Sequence, residues 1–223
     1  MAWQQVASGY AGVWARENTR QSIFDAMLRR EVYASTGPRI TVRFFGGWNF
    51  SEADLYEPNI AEIGYQKGVP MGGDLRVSDD TEKPPSFIVL ALKDADGANL
   101  DRIQIVKGWV DNEGNSGERV FDVALSDGRS TGAPRVPALV STVDVLNASY
   151  SNTIGAVQLA VVWEDPDFNT NDHAFYYARV IEIPTPRWTA FDAKILDAEI
   201  PAEAEMEVQE RVYTSPIWYT PSP

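Results

Sequence analysis

The sequence predicts a mainly β protein, an antiparallel β-sandwich preceded by one amphipathic helix. About seven short runs of strand-forming residues recur along the chain, and turn sequences such as Asp96-Gly97 and Asp127-Gly128 separate them. No helical pattern lies between consecutive runs, whereas the strands of a parallel sheet need helical crossovers. The 223 residues suffice for one large domain, or for a domain with an appendage.

The helix is the first predicted element and covers residues 18–32. Asn18 or Thr19 can cap its first turn, because short polar side chains accept hydrogen bonds from free backbone N–H groups. The sequence Ser-Thr-Gly-Pro at 35–38 ends the pattern. One face carries an apolar stripe made of Ile23, Phe24, Met27 and Leu28.

Strand patterns begin at residue 39, where Ile40, Val42 and Phe44 alternate with polar residues. The wholly apolar run 87–92 predicts a central strand, since such a strand is covered on both faces. Further strands are predicted at 102–110, 119–125, 157–163, 175–183 and 208–219, the last interrupted by Pro216. Short helices are predicted at 59–66 and 190–196. In the run 175–183, one alternating face consists of Phe175, Tyr177, Arg179, Ile181 and Ile183.

The composition excludes several kinds of site. The absence of cysteine excludes disulfides, thiolate zinc sites, iron–sulfur clusters and a cysteine nucleophile. His173 is the single histidine, so no site in this chain can use two imidazoles. Because His173 follows Asn-Thr-Asn-Asp, its setting is typical of a polar turn, and we interpret it as a solvated loop residue.

The net charge of −13 argues against DNA, RNA and anionic membranes as partners, because it repels their phosphates. The sequence contains no run of about 18 apolar residues, so it predicts no membrane span. The first residues lack the basic and apolar regions of a signal peptide. The aromatic stretch with Trp3, Tyr10 and Trp14 has no regular period and suggests the interior of a longer protein.

Two acidic loops could in principle hold a cation or perform acid–base chemistry. Asp94, Asp96, Asn99 and Asp101 lie within eight residues, but their spacing does not fit an EF-hand, and an Asp-Gly turn is the favoured interpretation. The second loop contains Asp165, Asp167 and Asp172, which we interpret as a solvated acidic loop rather than a pair of catalytic carboxylates.

Arginine and tryptophan supply the remaining candidates. Guanidinium groups suit carboxylate or phosphate ligands, although ion pairs within the protein or stacking on tryptophan are the favoured interpretation. The dense arginines are Arg29, Arg30, Arg39 and Arg43. Sugar rings stack on exposed indoles, and Trp48 and Trp188 lie in predicted loops, whereas alternation places Trp109 and Trp163 in the core.

Several stretches resemble a known bacterial family. They are Val13 to Arg20, Ile23 to Met27, Arg29 to Ile40, Asn99 to Trp109, Phe175 to Val180 and Thr214 to Tyr219. Over nearly the whole chain, the sequence resembles the C-terminal portion of a domain-of-unknown-function family related to PHP-type (polymerase and histidinol phosphatase) metallohydrolases. The resemblance implies that a divalent metal and its ligands belong to an upstream α/β domain, and that this chain holds no cofactor or catalytic residue. It also suggests a periplasmic or extracellular location.

We therefore expect residues 1–38 to be a leader and helix from the end of the catalytic domain, and residues 39–223 to be the sandwich. The chain is predicted to have a structural role or to form part of the active-site rim. Its partner would be the upstream domain, and the substrate of the whole enzyme would be a phosphoester or related ester. Tyr33 and Arg39 are the residues expected nearest to that substrate. The alternative is a glycan- or protein-binding module that uses Trp48, Trp188 and the long loop 184–204. A third hypothesis, an independent enzyme that uses only carboxylates, predicts turnover by the chain itself.

Overall fold

A computed structural model describes residues 8–78, 83–131 and 136–221. The fold is mainly β, as predicted, with two larger sheets packed as a sandwich. In chain order, the strands are β1 (Tyr10–Val13), β2 (Val32–Ser35), β3 (Thr41–Gly47), β4 (Gly68–Pro70), β5 (Asp74–Leu75), β6 (Ser86–Leu92), β7 (Leu100–Val110), β8 (Ser116–Leu125), β9 (Gln158–Glu164), β10 (His173–Glu182), β11 (Thr185–Pro186), β12 (Glu207–Val208), β13 (Arg211–Thr214) and β14 (Ile217–Tyr219).

The larger sheet is organised around β10. Along one side, β10 pairs with β7, which pairs with β8. Along the other side, β13 and β14 pair with successive halves of β10, because Pro216 interrupts the run as predicted. The hairpin β1–β2 extends the sheet beyond β13, and β5 adds a parallel partner to β14. The predicted leader 1–38 thus contributes two strands to this sheet, while Trp3 lies outside the described residues.

The smaller sheet has the order β4-β3-β6-β9 and is antiparallel. Its central strand β6 confirms the prediction of a central strand at 87–92. In the neighbouring strand β3, Val42 and Phe44 are fully buried. Core residues from both sheets, such as Val89, Ile105 and Val180, form one continuous cluster. Trp109 and Trp163 pack against that core, as the alternation predicted. The strands β11 and β12 form a separate two-stranded sheet.

Three α-helices lie outside the sheets within the described ranges: α1 (Arg20–Leu28), α2 (Ile60–Lys67) and α3 (Trp188–Leu196). A short 3-10 helix, Glu52–Tyr56, precedes α2. Thr19 caps α1 by accepting a hydrogen bond from Ser22 N at 3.2 Å, and Asn59 caps α2 at its predicted start. No described helix has both the length and the apolar character that crossing a membrane requires.

The predicted end of α1 at residue 32 is wrong, because the helix stops at Leu28. Arg30 adopts a left-handed conformation with φ of 62°, which turns the chain into β2. Glu31 is then buried and accepts hydrogen bonds from Arg29 and Tyr65, so a contact across the fold fixes the turn. Helical periodicity carries no information about such a distant partner.

The buried face of β10 is the opposite of the alternating face noted in the sequence. Its inward residues include Tyr176 and Val180, whereas Phe175, Tyr177 and Arg179 point away from the core and are half-buried. Both faces of β10 carry apolar residues, so alternation alone does not show which of them is covered.

Candidate functional site

Tyr33 lies in β2 and packs on the neighbouring strand. Its ring covers Gly12, where an added Cβ would lie 2.2 Å from Tyr33 Cζ. The Trp14 ring lies 6.3 Å away, between centroids. Burial raises the pKa of the Tyr33 hydroxyl, although nearby Arg43 acts in the opposite direction. Tyr33 and Met27 line a cavity of about 490 Å³, which we call the hairpin cavity.

Arg39 lies just before β3, and its exposed guanidinium pairs with two carboxylates of the Asp94 loop. Its Nε is 3.4 Å from Asp94 and its Nη2 is 3.3 Å from Asp96. The backbone N–H of Arg39 also donates to Asp94 at 2.7 Å, and these hydrogen bonds lower the pKa of that carboxyl. Asp94 further accepts a hydrogen bond from the backbone N–H of Asp96, as the predicted Asp-Gly turn requires.

The other dense arginines also have partners within the protein. Arg30 pairs with Asp74 at 3.2 Å, and Arg29 pairs with Glu31 at the same distance. The Arg43 guanidinium lies 3.3 Å from the centroid of the Trp14 ring. These contacts are the ion pairs and stacking that the sequence favoured.

Trp48 and Trp188 lie in different parts of the fold. Trp48 donates from Nε1 to Arg76 O at 2.9 Å and packs edge-on against Phe168 and Tyr219. Trp188 begins α3 and lines a second cavity of about 490 Å³, the α3 cavity. Tyr213 lines both this cavity and the hairpin cavity, so the two cavities are neighbours. Tyr33 lines one of them and Trp188 lines the other. Arg39 and Trp48 line neither cavity.

An aromatic surface on the outer side of the larger sheet was missed by the sequence analysis. It consists of Phe175, Tyr177, Tyr213 and Trp218, with Arg179 and Arg211 beside them. We call these six residues the aromatic face. The alternation in 175–183 already places Phe175, Tyr177 and Arg179 on one face of the strand. The sequence does not show which strands lie beside β10, so the rest of the surface could not be predicted.

A third cavity of about 360 Å³ adjoins the aromatic face at Phe175 and Trp218. We call it the His173 cavity, because the single histidine lines it together with Glu118. His173 is exposed, as expected, but it is the first residue of β10 rather than a loop residue.

The interpretation of Asp165 as part of a solvated loop is wrong. Asp165 is 1 % exposed and pairs with Lys107, whose Nζ is 2.6 Å from Oδ2. The Tyr176 hydroxyl donates to the same oxygen at 2.7 Å, and the backbone N–H of Asp167 donates to Oδ1 at 2.9 Å. We call Lys107, Asp165 and Tyr176 the buried triad, and it ties β7 and β10 to the loop after β9. Burial and the Asp165 charge raise the pKa of Tyr176 strongly.

Glu182, at the end of β10, is a second buried carboxyl, but its environment is different. It is 2 % exposed, and Oε1 has no hydrogen-bond partner among the described residues. Burial is the largest cause that raises its pKa to about 8, followed by the charges of Glu210 and Asp94. At neutral pH the Glu182 side chain is therefore mostly protonated.

Among the described residues, no group of three or more His, Cys, Asp and Glu side chains could hold a metal ion. The comparison with family models gives one match, which spans residues 1–221 and is described as "Protein of unknown function (DUF3604)". The chain belongs to the DUF3604 family. Searches of curated proteins and of solved structures found no match. DUF3604 membership confirms the expected family of unknown function, and its relation to metallohydrolases is a matter for proposal.

Proposed function

We propose that this DUF3604 chain is a non-catalytic β-sandwich module of a larger metal-dependent hydrolase, and that α1 docks it onto the catalytic domain. The resemblance to PHP-type metallohydrolases supports the proposal that this catalytic domain is a metallohydrolase. In the proposed assembly, the upstream domain holds the divalent metal, which activates water to cleave a phosphoester or related ester. The present chain supplies rigidity and part of the active-site rim.

The observation that carries this proposal is the exposed apolar stripe of α1. Phe24, Met27 and Leu28 are 54 %, 53 % and 67 % exposed, and Ala26 is the buried residue of the helix. An amphipathic helix normally turns its apolar stripe toward the core. Here the stripe faces outward, and contiguous exposed apolar patches of a few hundred Å² mark contact surfaces.

The surface continues from the helix into the sheet. Met27 and the aliphatic side chains of Val13 and Val32 line the hairpin cavity beside α1. A partner helix or loop could thus insert an apolar side chain between α1 and the hairpin β1–β2. Such a hydrophobic contact suits a permanent interface within one protein, because permanent interfaces are more apolar than transient ones.

Reading the frame that encodes residue 1 and the sequence upstream of it is the first test. We expect it to continue into a segment with His-x-His and further His and Asp motifs. A frame without any such segment would overturn the proposal. The product of the whole frame and the present chain can then be compared by hydrogen exchange. We expect the α1 amides to exchange more slowly in the longer product.

Substitutions in α1 identify the docking residues. The variant Phe24→Ser/Met27→Gln/Leu28→Gln should remove the extra protection of α1 in the longer product. The matched control is Ile195→Gln/Leu196→Gln in α3, where both side chains are similarly exposed at 71 % and 68 %. Equal protection of α1 in the two proteins, or an equal effect of the control, contradicts docking through α1.

The predicted role of Tyr33 and Arg39 beside the substrate is tested separately. In the complete enzyme, Arg39→Ala is expected to lower kcat/KM for an ester substrate. An unchanged kcat/KM removes Arg39 from the proposal, while docking through α1 is unaffected. Arg30→Ala is a suitable control, because Arg30 is also an exposed arginine that pairs with an aspartate.

The alternative function, glycan binding, is favoured by a specific observation. The aromatic face exposes several rings on one side of the sheet, and sugar rings stack on such surfaces. The predicted aromatic candidates, Trp48 and Trp188, are not part of that face, although Trp188 lines the cavity next to it.

A further inference from the structure

The aromatic face follows the outer side of β10 and its neighbours. Strand register places Phe175 opposite Trp218, Arg179 opposite Tyr213, and Ile181 opposite Arg211. Since alternate residues of a strand point to one side, these side chains share the surface that faces away from the core. From 175 to 181 the strand advances about 20 Å, at roughly 3.4 Å per residue.

The rings of this face lie close enough to form one continuous platform. Ring centroids are 5.4 Å apart for Trp218 and Phe175, 6.5 Å for Phe175 and Tyr177, and 6.4 Å for Tyr177 and Tyr213. The Phe175 and Tyr177 rings are nearly parallel, at 8°. Trp218 is 42 % exposed, and the other rings are half-buried.

A glycine allows Phe175 to lie against the sheet. Gly108 of β7 is the cross-strand partner of Phe175, and an added Cβ would lie 2.3 Å from Phe175 Cζ. The end of the ring therefore occupies the space that a side chain at position 108 would fill. The partially positive C–H groups of a pyranose ring pack well on the negative face of an aromatic ring.

Two arginines complete the surface. Arg179 donates from Nε to Gln104 Oε1 at 2.7 Å, and Arg211 donates from Nε to Gln209 O at 3.1 Å. Neither guanidinium forms an ion pair with a described residue. Each can offer its Nη groups to an external carboxylate as a bidentate donor.

The acidic groups near this face do not occupy the arginines. Asp122 of β8 accepts hydrogen bonds from Arg102 and Gln104 at 3.1 and 2.7 Å. Glu118 lines the His173 cavity in the same cross-strand row as Gly108 and Phe175, at the end of the face away from Arg211, and its charge acts on Tyr177. Near Tyr213 the surface carries Arg179 and Arg211. Glu210 also lines the α3 cavity beside Arg211, and its carboxylate accepts a hydrogen bond from the Thr36 hydroxyl.

Cavities adjoin the face at both ends. The His173 cavity includes Phe175 and Trp218, and the α3 cavity includes Arg211, Tyr213 and Trp188. A ligand that follows the face therefore meets a recess at each end. This arrangement suits an extended chain of rings better than a single small molecule.

We propose that the aromatic face binds an acidic glycan, a chain of uronate sugars. The pyranose rings stack on Trp218, Phe175 and Tyr177, and their carboxylates pair with Arg179 and Arg211. This inference does not depend on the proposed hydrolase, because it concerns a different surface from α1. The net charge of −13 opposes a polyuronate just as it opposes nucleic acid, so the proposal depends on the local charge of Arg179 and Arg211.

The test is binding of an oligogalacturonate to the full chain, measured by calorimetry and by tryptophan fluorescence. A neutral galactan oligomer of equal length is the comparison ligand. We expect saturable binding of the oligogalacturonate, at least tenfold tighter than that of the galactan. No saturable binding of the oligogalacturonate, or equal binding of the galactan, overturns the proposal.

Variants locate the site. Arg179→Gln/Arg211→Gln should weaken oligogalacturonate binding at least tenfold, and Trp218→Ala should weaken it and abolish the fluorescence change. The control Arg20→Gln/Arg30→Gln removes the same charge from another surface and should change the affinity less than twofold. Thermal unfolding verifies that each variant is folded, and the arginine variant decides the outcome if Trp218→Ala is not.

If Arg179→Gln/Arg211→Gln and the control Arg20→Gln/Arg30→Gln weaken oligogalacturonate binding equally, the ligand is attracted by net charge alone. That result would overturn the proposed site. The proposal is also overturned if the Arg179→Gln/Arg211→Gln variant binds oligogalacturonate as the wild type does but changes the hydrogen-exchange protection of α1 in the longer protein. In that case, the aromatic face contacts a protein domain rather than a glycan.

Discussion

Two buried carboxyl groups at opposite ends of one sandwich show how differently a protein can accommodate an acid in its core. Asp165 receives hydrogen bonds from Lys107, Tyr176 and a backbone N–H group. Glu182 leaves one oxygen without a partner among the described residues. Both are almost completely covered. The two sites therefore differ in the number of hydrogen-bond donors rather than in burial.

The difference reflects where each residue lies. Asp165 follows β9, where a lysine of β7 and a tyrosine of β10 meet from the other sheet. Glu182 lies near two further carboxylates, Glu210 and Asp94, which make ionisation more costly. A satisfied ionic network gives the interior a fixed arrangement, whereas a protonated carboxyl makes the stability of the fold depend on pH.

Near neutral pH, removing the lysine of the buried triad should have the largest effect. Lys107→Met leaves the Asp165 charge buried without its cation, and we expect a loss of about 3–5 kcal/mol in the free energy of unfolding. Chemical denaturation measures it. The double variant Lys107→Met/Asp165→Leu should recover most of that loss, since no unpaired charge then remains. A loss below about 1 kcal/mol for the single variant would show that water reaches the site.

The second prediction concerns pH and Glu182. Its pKa is about 8 in the folded protein, against an ordinary value of 4.5 for a glutamate exposed to solvent. Between these values the unfolded chain releases its proton and the folded chain keeps it, so stability falls as pH rises. The slope is about 1.4 kcal/mol per pH unit for one such group. Below this window both states are protonated, and above it the loss is complete.

Glu182→Gln should therefore be more stable than the wild type at pH 8 and differ little from it near pH 4. Unfolding midpoints across that range measure the difference, which should grow steadily with pH. The control Glu203→Gln, at an exposed glutamate, should give a constant difference. If the profile of Glu182→Gln runs parallel to that of the wild type, a donor pairs with Glu182 in solution.

The third prediction refines the account of the buried triad. Tyr176→Phe removes the donor to Asp165 but keeps the ring in the core. We expect it to cost about 1–3 kcal/mol, less than Lys107→Met, because Asp165 keeps its lysine. Denaturation under the same conditions gives the ratio of the two effects. A cost equal to that of Lys107→Met would mean that the triad functions only as a complete unit.

The smallest effect is expected for an exposed ion pair. Arg30 and Asp74 lie 3.2 Å apart with side chains 52 % and 74 % exposed. Asp74→Asn should change the stability by less than about 1 kcal/mol, since water screens the pair. A larger loss would show that proximity alone, rather than burial, determines how much an ionic contact contributes in this protein.

The sequence was sufficient for the longer strands, but it was insufficient for short ones such as β1 and β2 and for the site. The position of β6 and the cap at Thr19 follow from local patterns, and both were correct. The burial of Asp165 depends on Lys107, 58 residues away, and polar sequence around it suggested solvent instead. The aromatic face requires the register between β10, β13 and β14, which no local pattern specifies.

The strand β13 also constrains the order in which the molecule can assemble. It lies between β2 and β10, so Tyr213 meets Ala34 on one side and Arg179 on the other. During synthesis, the hairpin β1–β2 leaves the ribosome early but has no place in the large sheet until residues 211–214 have emerged. Contacts so distant in sequence slow folding. A chain cut before Arg211 should therefore lose the hairpin, the Tyr213 ring and the hydrogen-bonded edge of β10 together.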